Sequence, residues 1–138
     1  MFSQQLMLNG FKDNNIIMSR YEKGKKTLEE IQQRPVEEIF KDLEDIAPDL
    51  GRFVIEFPYS EIYTRNEIDL KTREICTVAA LTVLGTIPQL KEHINAALNV
   101  GNSETEIVEI IMQMSAYCGF PKAINAMVTA KEVFEERD

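Results

Sequence analysis

The chain has 138 residues, 44% apolar and 28% charged, with 15 Lys and Arg against 23 Asp and Glu for a net charge of -8. That is one domain's length, enough to bury about two-thirds of the surface an unfolded chain exposes. No basic stripe is present, so nucleic acid is not an expected partner, and an anionic small molecule would need a local cationic pocket.

Breakers divide the chain into helices. The spacing predicts a first helix from about Asn15 to Gln33, with Ile17, Tyr21, Leu28 and Ile31 as its apolar positions. Pro35 suits the first turn of a second helix, Val36 to Ile46, where Val36, Ile39, Phe40 and Leu43 recur at three and four. Ala47-Pro48-Asp49 opens a third, carrying Phe53, Val54 and Phe57 until Pro58 interrupts it; Tyr59 to Thr64 reads as a further short turn. Asp69 is a predicted N-cap for Leu70 to Leu84, ended by Gly85. Pro88 begins the next helix, which stops near Asn99. Ser103 and Glu106 have capping-box spacing before a helix that closes at Gly119, and Pro121 starts a last one to about Glu136. No strand-type alternation runs for long, so the reading is all-α: a compact bundle of six to seven helices. Residues 1–138 read as a single domain with residues 1–14 as an N-terminal extension. Ile75 to Leu84 and Ile107 to Met114 are apolar over wide arcs, which predicts cover from other subunits and hence a homo-oligomer.

No stretch approaches the roughly 18 consecutive apolar residues of a membrane span, and no basic segment followed by an apolar run opens the chain. A cytoplasmic protein with no membrane partner is expected. Cys76 and Cys118 lie far apart and form no C-x-x-C, against a metal ribbon, a thioredoxin-type motif or a secreted disulfide scaffold.

Two ionisable residues fall on apolar helix faces. Glu74 shares its face with Val78, Leu81 and Thr82; His93, the only histidine, has Gln89, Leu90, Ala96 and Ala97 at helical spacing. A short turn from Gly85 to Pro88 joins their helices, so the two could meet across an antiparallel pair. Burial disfavours both charged forms and pairing opposes it, which would make an acid–base pair. The plainer alternative stands beside this: a hydrogen-bonded core histidine, and a glutamate that favours the helix dipole. Arg65 and Arg73 flank Asp69 and are suited to bidentate carboxylate binding, or else are surface arginines, with Arg73 paired to Asp69. Cys118 at a helix C-terminus is poorly placed for thiolate chemistry. Tyr117 and Phe120, beside Gly119 and Pro121, read as walls of a turn or of a pocket.

Leu70-Lys-Thr-Arg-Glu-Ile-Cys-Thr-Val-Ala-Ala-Leu81, Gln89-Leu-Lys-Glu-His-Ile-Asn-Ala-Ala-Leu-Asn-Val-Gly101, Glu106 to Glu109 and Tyr117-Cys-Gly-Phe-Pro-Lys-Ala-Ile-Asn-Ala126 resemble, in order and spacing, the carboxymuconolactone decarboxylase family. Arg20-Tyr-Glu-Lys-Gly24 and Ile62-Tyr-Thr-Arg65 resemble its upstream segments, so the resemblance covers roughly residues 19–134. The wider family includes an alkylhydroperoxidase D branch with a Glu, a C-x-x-C and a His four residues later. Laid on this chain, the Glu falls on Glu74 and the His on His93, but the cysteine positions fall on Thr86 and Gln89. The redox pair of that branch is absent here, which favours the decarboxylase branch.

The resemblance implies conversion of 4-carboxymuconolactone to 3-oxoadipate enol-lactone in aromatic catabolism. The departing carboxylate is vinylogous to the lactone carbonyl, so the lactone accepts the electrons and no cofactor or metal is called for. Glu74 and His93 are then the catalytic residues, with Arg65, Arg73 and Tyr117 binding a small anionic substrate, in a trimer or hexamer. Two other readings compete: a thiol-dependent peroxidase of peroxiredoxin type using Cys76 or Cys118, and a helical oligomer that only binds a small ligand.

Overall fold

The computed structural model describes residues 17–138. The expected extension over residues 1–14 lies outside the described residues, as does the start expected for the first helix. Ser19 opens α1 (Arg20–Gln32) with a capping box: its hydroxyl accepts from the Glu22 amide, and the Glu22 carboxylate accepts from the Ser19 amide. The helix ends at Gln33, whose φ of 55° turns the chain away. Leu28 and Ile31 are buried as the periodicity predicts, but Ile17 is exposed and Tyr21 is at the surface. The second predicted helix is shorter than its periodicity suggests: α2 covers Val36–Ile39, followed by one 3₁₀ turn at Lys41–Leu43.

Pro48 starts α3 (Pro48–Val54), and here the sequence reading is corrected. Pro58 does not break the helix. The chain continues as a π-helical segment, Ile55–Ile62, with Pro58 inside it and the Tyr63 amide reaching back five residues to the Pro58 carbonyl at 2.8 Å. A proline lacks the N–H for an α-helical bond and crowds the preceding turn; the wider π turn relieves that crowding. The extra residue per turn also changes which side chains face inward. Phe53 and Phe57 are exposed, while Ile55, Tyr59 and Ser60 are buried.

The second half follows its punctuation. Asp69 accepts from the Thr72 amide at 2.7 Å and starts α4 (Leu70–Leu84), which Gly85 ends at φ 73°. Pro88 lies in the first turn of α5 (Ile87–Asn99). Ser103 caps α6 (Glu104–Cys118) by accepting from the Glu106 amide at 3.0 Å. The reciprocal half of the expected capping box is not formed; Glu106 pairs instead with Lys71 at 3.4 Å. Pro121 lies in the first turn of α7 (Phe120–Arg137). Among the described residues there is no strand, and the fold is all-α.

Two clusters of buried side chains organise these helices. Val78, Ile94, Ile107, Ile111 and Ala130 belong to the core between α4, α5, α6 and α7. Leu28, Ile31, Ile55, Tyr59 and Ala96 form the second, where α1 and the π segment cover α5. Helix α5 therefore serves both cores, with Ala97 facing one and Ala96 the other. The Asn99 amide group donates to the Ile31 carbonyl at 2.9 Å, and that of Asn102 to the Lys71 carbonyl at 2.9 Å, tying α5 and its exit loop to α1 and α4. No helix among the described residues is long and apolar enough to cross a membrane.

Candidate functional site

The seam between the two cores holds the site. Gly85 reverses the chain, so α4 and α5 run antiparallel and Glu74 comes opposite His93. His93 Nδ1 and Glu74 Oε2 lie 2.8 Å apart; the Glu74 side chain is fully buried and that of His93 is 18% exposed. A buried carboxylate is costly unless paired, and this pairing is the partner it has. With a carboxylate on Nδ1, the imidazole carries its proton there and leaves Nε2 as the second ring nitrogen, free to take or give a proton. Glu74 Oε1 is buried with no hydrogen-bond partner.

Two tyrosines, Tyr59 and Tyr63, lie within electrostatic reach of Glu74. The Tyr63 hydroxyl lies 2.8 Å from Thr77 Oγ1, and its ring stacks on Tyr59 with centroids 4.8 Å apart. Burial, with the Glu74 charge adding to it, pushes the Tyr63 phenol up to about 12. Burial also pushes Tyr59 upward, with Tyr63 and Glu74 contributing. Neither tyrosine was singled out from the sequence as a site residue. Their spacing of four, which puts both rings on one helical face, was the available signal; the π geometry that aims them inward was not legible.

The arginines behave differently from one another. Arg73 extends one Nη to the Arg65 carbonyl at 3.2 Å, and its Nε is buried without a partner. Asp69, the partner considered for Arg73, is engaged instead in capping Thr72. The Arg65 side chain is exposed. Arg73, next to Glu74 in sequence and acting electrostatically on Tyr63, thus has free donors beside the pair.

Tyr117 is not brought to this site within one chain. The first turns of α4 and α6 are joined by Lys71 and Glu106, and at the opposite end Lys122 Nζ donates to the Val83 carbonyl at 3.0 Å. Val83 is nine residues beyond Glu74, about 13 Å along the helix at 1.5 Å per residue. Tyr117 lies at that far end and is 77% exposed. Cys76 is exposed and Cys118 half-buried, both as free thiols. Among the described residues no group of three or more His, Cys, Asp or Glu is arranged to hold a metal ion. Two surface clefts lie away from the pair, one under α1 to α3 and one of polar residues between α1, α5 and α7.

The chain is similar to known proteins across this whole arrangement. It is 31% identical to 4-carboxymuconolactone decarboxylase of Acinetobacter baylyi over 118 residues, 85% of this chain and 88% of that one. It is 34% identical over 98 residues to a 15.0 kDa protein of Paracoccus denitrificans, covering 70% of this chain and 73% of the relative. With nitrosuccinic acid decarboxylase of Metarhizium robertsii it shares 26% identity over 83 residues, 60% of this chain and 58% of that protein. A sequence model described as the carboxymuconolactone decarboxylase family matches residues 48–132. That match runs from α3 into α7 and includes both Glu74 and His93, and with a relative similar over most of its length it means that the chain belongs to the carboxymuconolactone decarboxylase family.

Proposed function

We propose that this protein is a cofactor-independent carboxy-lyase acting on a small carboxylated lactone of the 4-carboxymuconolactone type, with Glu74 and His93 as its acid–base pair. The observation that carries the reading is the buried carboxylate held 2.8 Å from an imidazole whose ring keeps some access to solvent. The names of two relatives, both decarboxylases, support decarboxylase-type chemistry.

In this reading the substrate carboxylate loses carbon dioxide as its C–C bond breaks, and the electron pair moves through the conjugated system to the lactone carbonyl. Glu74 holds the imidazolium through Nδ1, and Nε2 delivers the proton to carbon. The free donors of Arg73, helped by Arg65, bind the substrate carboxylates, where a fixed guanidinium fork suits a planar anion. Such preorganised charge counts for most in a site with little water. Tyr117 belongs to the proposal only through a second subunit, since within one chain it lies at the far end of α4. Exposed Leu84, Met112, Phe120 and Ile124 support a homo-oligomer, a trimer or hexamer, that would cover this end.

The test is turnover. Purified protein supplied with 4-carboxymuconolactone should consume the lactone and release carbon dioxide in equal amounts, and His93→Gln should abolish most of that rate. Absence of turnover, combined with thiol-dependent reduction of a hydroperoxide, would replace this reading with the peroxidase one.

A further inference from the structure

Glu74 is left half-satisfied by the pair. Oε2 faces His93, while Oε1 is buried and has no donor. A buried, unpaired carboxylate oxygen is expensive, so the nearest donor that can turn toward it matters. Thr77 follows Glu74 by three residues on α4, which puts the two side chains on neighbouring positions of one face. The Thr77 hydroxyl has one proton, and it is donated to the Arg73 carbonyl at 3.0 Å. Its contact with Tyr63 at 2.8 Å is therefore one in which Thr77 accepts and the phenol donates. The Tyr63 ring packs against the cluster that contains Ala96, one turn beyond His93 on α5. The Tyr63 hydroxyl thus sits against α4 at Thr77, within hydrogen-bonding reach of the Glu74 carboxylate and within electrostatic reach of Arg73, with the Tyr59 ring stacked on its own.

We infer that Tyr63 is the positioning residue of the Glu74–His93 pair: its hydroxyl moves its donated hydrogen bond between Thr77 Oγ1 and Glu74 Oε1, and so sets how tightly the carboxylate holds the imidazole. When the phenol donates to Thr77, the carboxylate charge is concentrated on His93 and favours the imidazolium. When it donates to Oε1, that charge is shared and His93 gives up its proton more readily. Tyr63 stays protonated throughout the neutral range because burial and the Glu74 charge disfavour its phenolate. The inference rests on the proposed role of the pair, but it is read by a measurement that needs no substrate.

His93 is the only histidine, so its ring C–H resonances titrate without overlap in the full-length protein. Tyr63→Phe removes only the hydroxyl, and with it the share of time the phenol spends on Oε1, and should raise the His93 titration midpoint by up to about 1 unit, the full effect of a permanent hydrogen bond to its carboxylate. Thr77→Val leaves the phenol with Glu74 alone and should move the midpoint down. Opposite shifts in two near-isosteric variants are not the mark of general loosening. A midpoint unmoved in Tyr63→Phe, or shifts of the same sign in both folded variants, overturns the inference. Failure of the lactone assay would refute the proposed reaction, whereas only the titration decides the role of Tyr63.

Discussion

Replacing Gly24 by alanine is a severe test of how α1 meets the π segment. A Cβ built at Gly24 falls 1.9 Å from the Ile55 carbonyl oxygen and 2.8 Å from its carbon, whereas real Cβ contacts essentially never fall under 3.0 Å. The obstacle is backbone, so no rotamer change relieves it, and α1 must move off the π segment by more than an ångström. Overpacking of a well-filled contact costs about 1–3 kcal/mol. The better helix propensity of alanine returns about 1 kcal/mol. Because a backbone neighbour cannot rotate away, the cost belongs at or above the top of its range, and the net loss should be about 2 kcal/mol. For a domain of this length that is a fall in Tm of about 6–10 °C. Thermal unfolding followed by circular dichroism, with Lys26→Ala on the exposed face of α1 as the control, measures it. The control should stay within about 0.5 kcal/mol of the parent. If Gly24→Ala melts with the parent or above it, the close approach of α1 to Ile55 is wrong, and so is the support it gives to Tyr59 and Tyr63.

Four further outcomes follow from the same structure. Glu74→Gln and His93→Gln should each lower turnover by about 10²–10⁴-fold, and the double variant should lose little more than either alone, since paired groups act as one unit; additive losses in steady-state kinetics would separate their roles. Replacing both Cys76 and Cys118 by Ala should leave decarboxylation largely intact, because neither thiol adjoins the pair in the proposed chemistry; a folded double variant with no activity would hand the reaction to the thiols. Tyr63 should make the fold sensitive to alkali: its folded pKa of about 12 lies above the unfolded value of 10.0, so its stabilising contribution is complete below pH 10 and is lost as pH rises from there through 12. Urea midpoints that fall less steeply over that window in Tyr63→Phe than in the parent would show it. Light scattering at micromolar concentration should give the mass of a trimer or hexamer, and a monomer would refute the proposed cover for the exposed apolar end.

How much of this was legible in the chain varies by residue. Helix class, and the ends of α4 to α7, are written in local chemistry: Asp69, Pro88, Ser103 and Pro121 act within one turn of themselves, and Gly85 adopts a backbone angle that few other residues tolerate. The meeting of Glu74 and His93 was also accessible, because a short turn between two amphipathic helices leaves them little choice but to lie antiparallel. The π segment was not. Pro58 carries the same local signal whether it breaks a helix or widens one, and only the packing of Ile55 against Gly24 and of Tyr59 in the core decides for the wider turn. That choice turns Phe57 outward and packs Tyr59 and Tyr63 into the second core cluster. Tyr117 shows the same divide from the other side: its place near a glycine and a proline suggested a pocket wall, but the direction of α6 relative to α4 sets its distance from Glu74. Local sequence determines where each helix starts and stops, because caps and turns are satisfied by neighbours in the chain. Which polar atoms end up together, and which of them remain unsatisfied, is a property of contacts between helices, and the tertiary structure alone decides it.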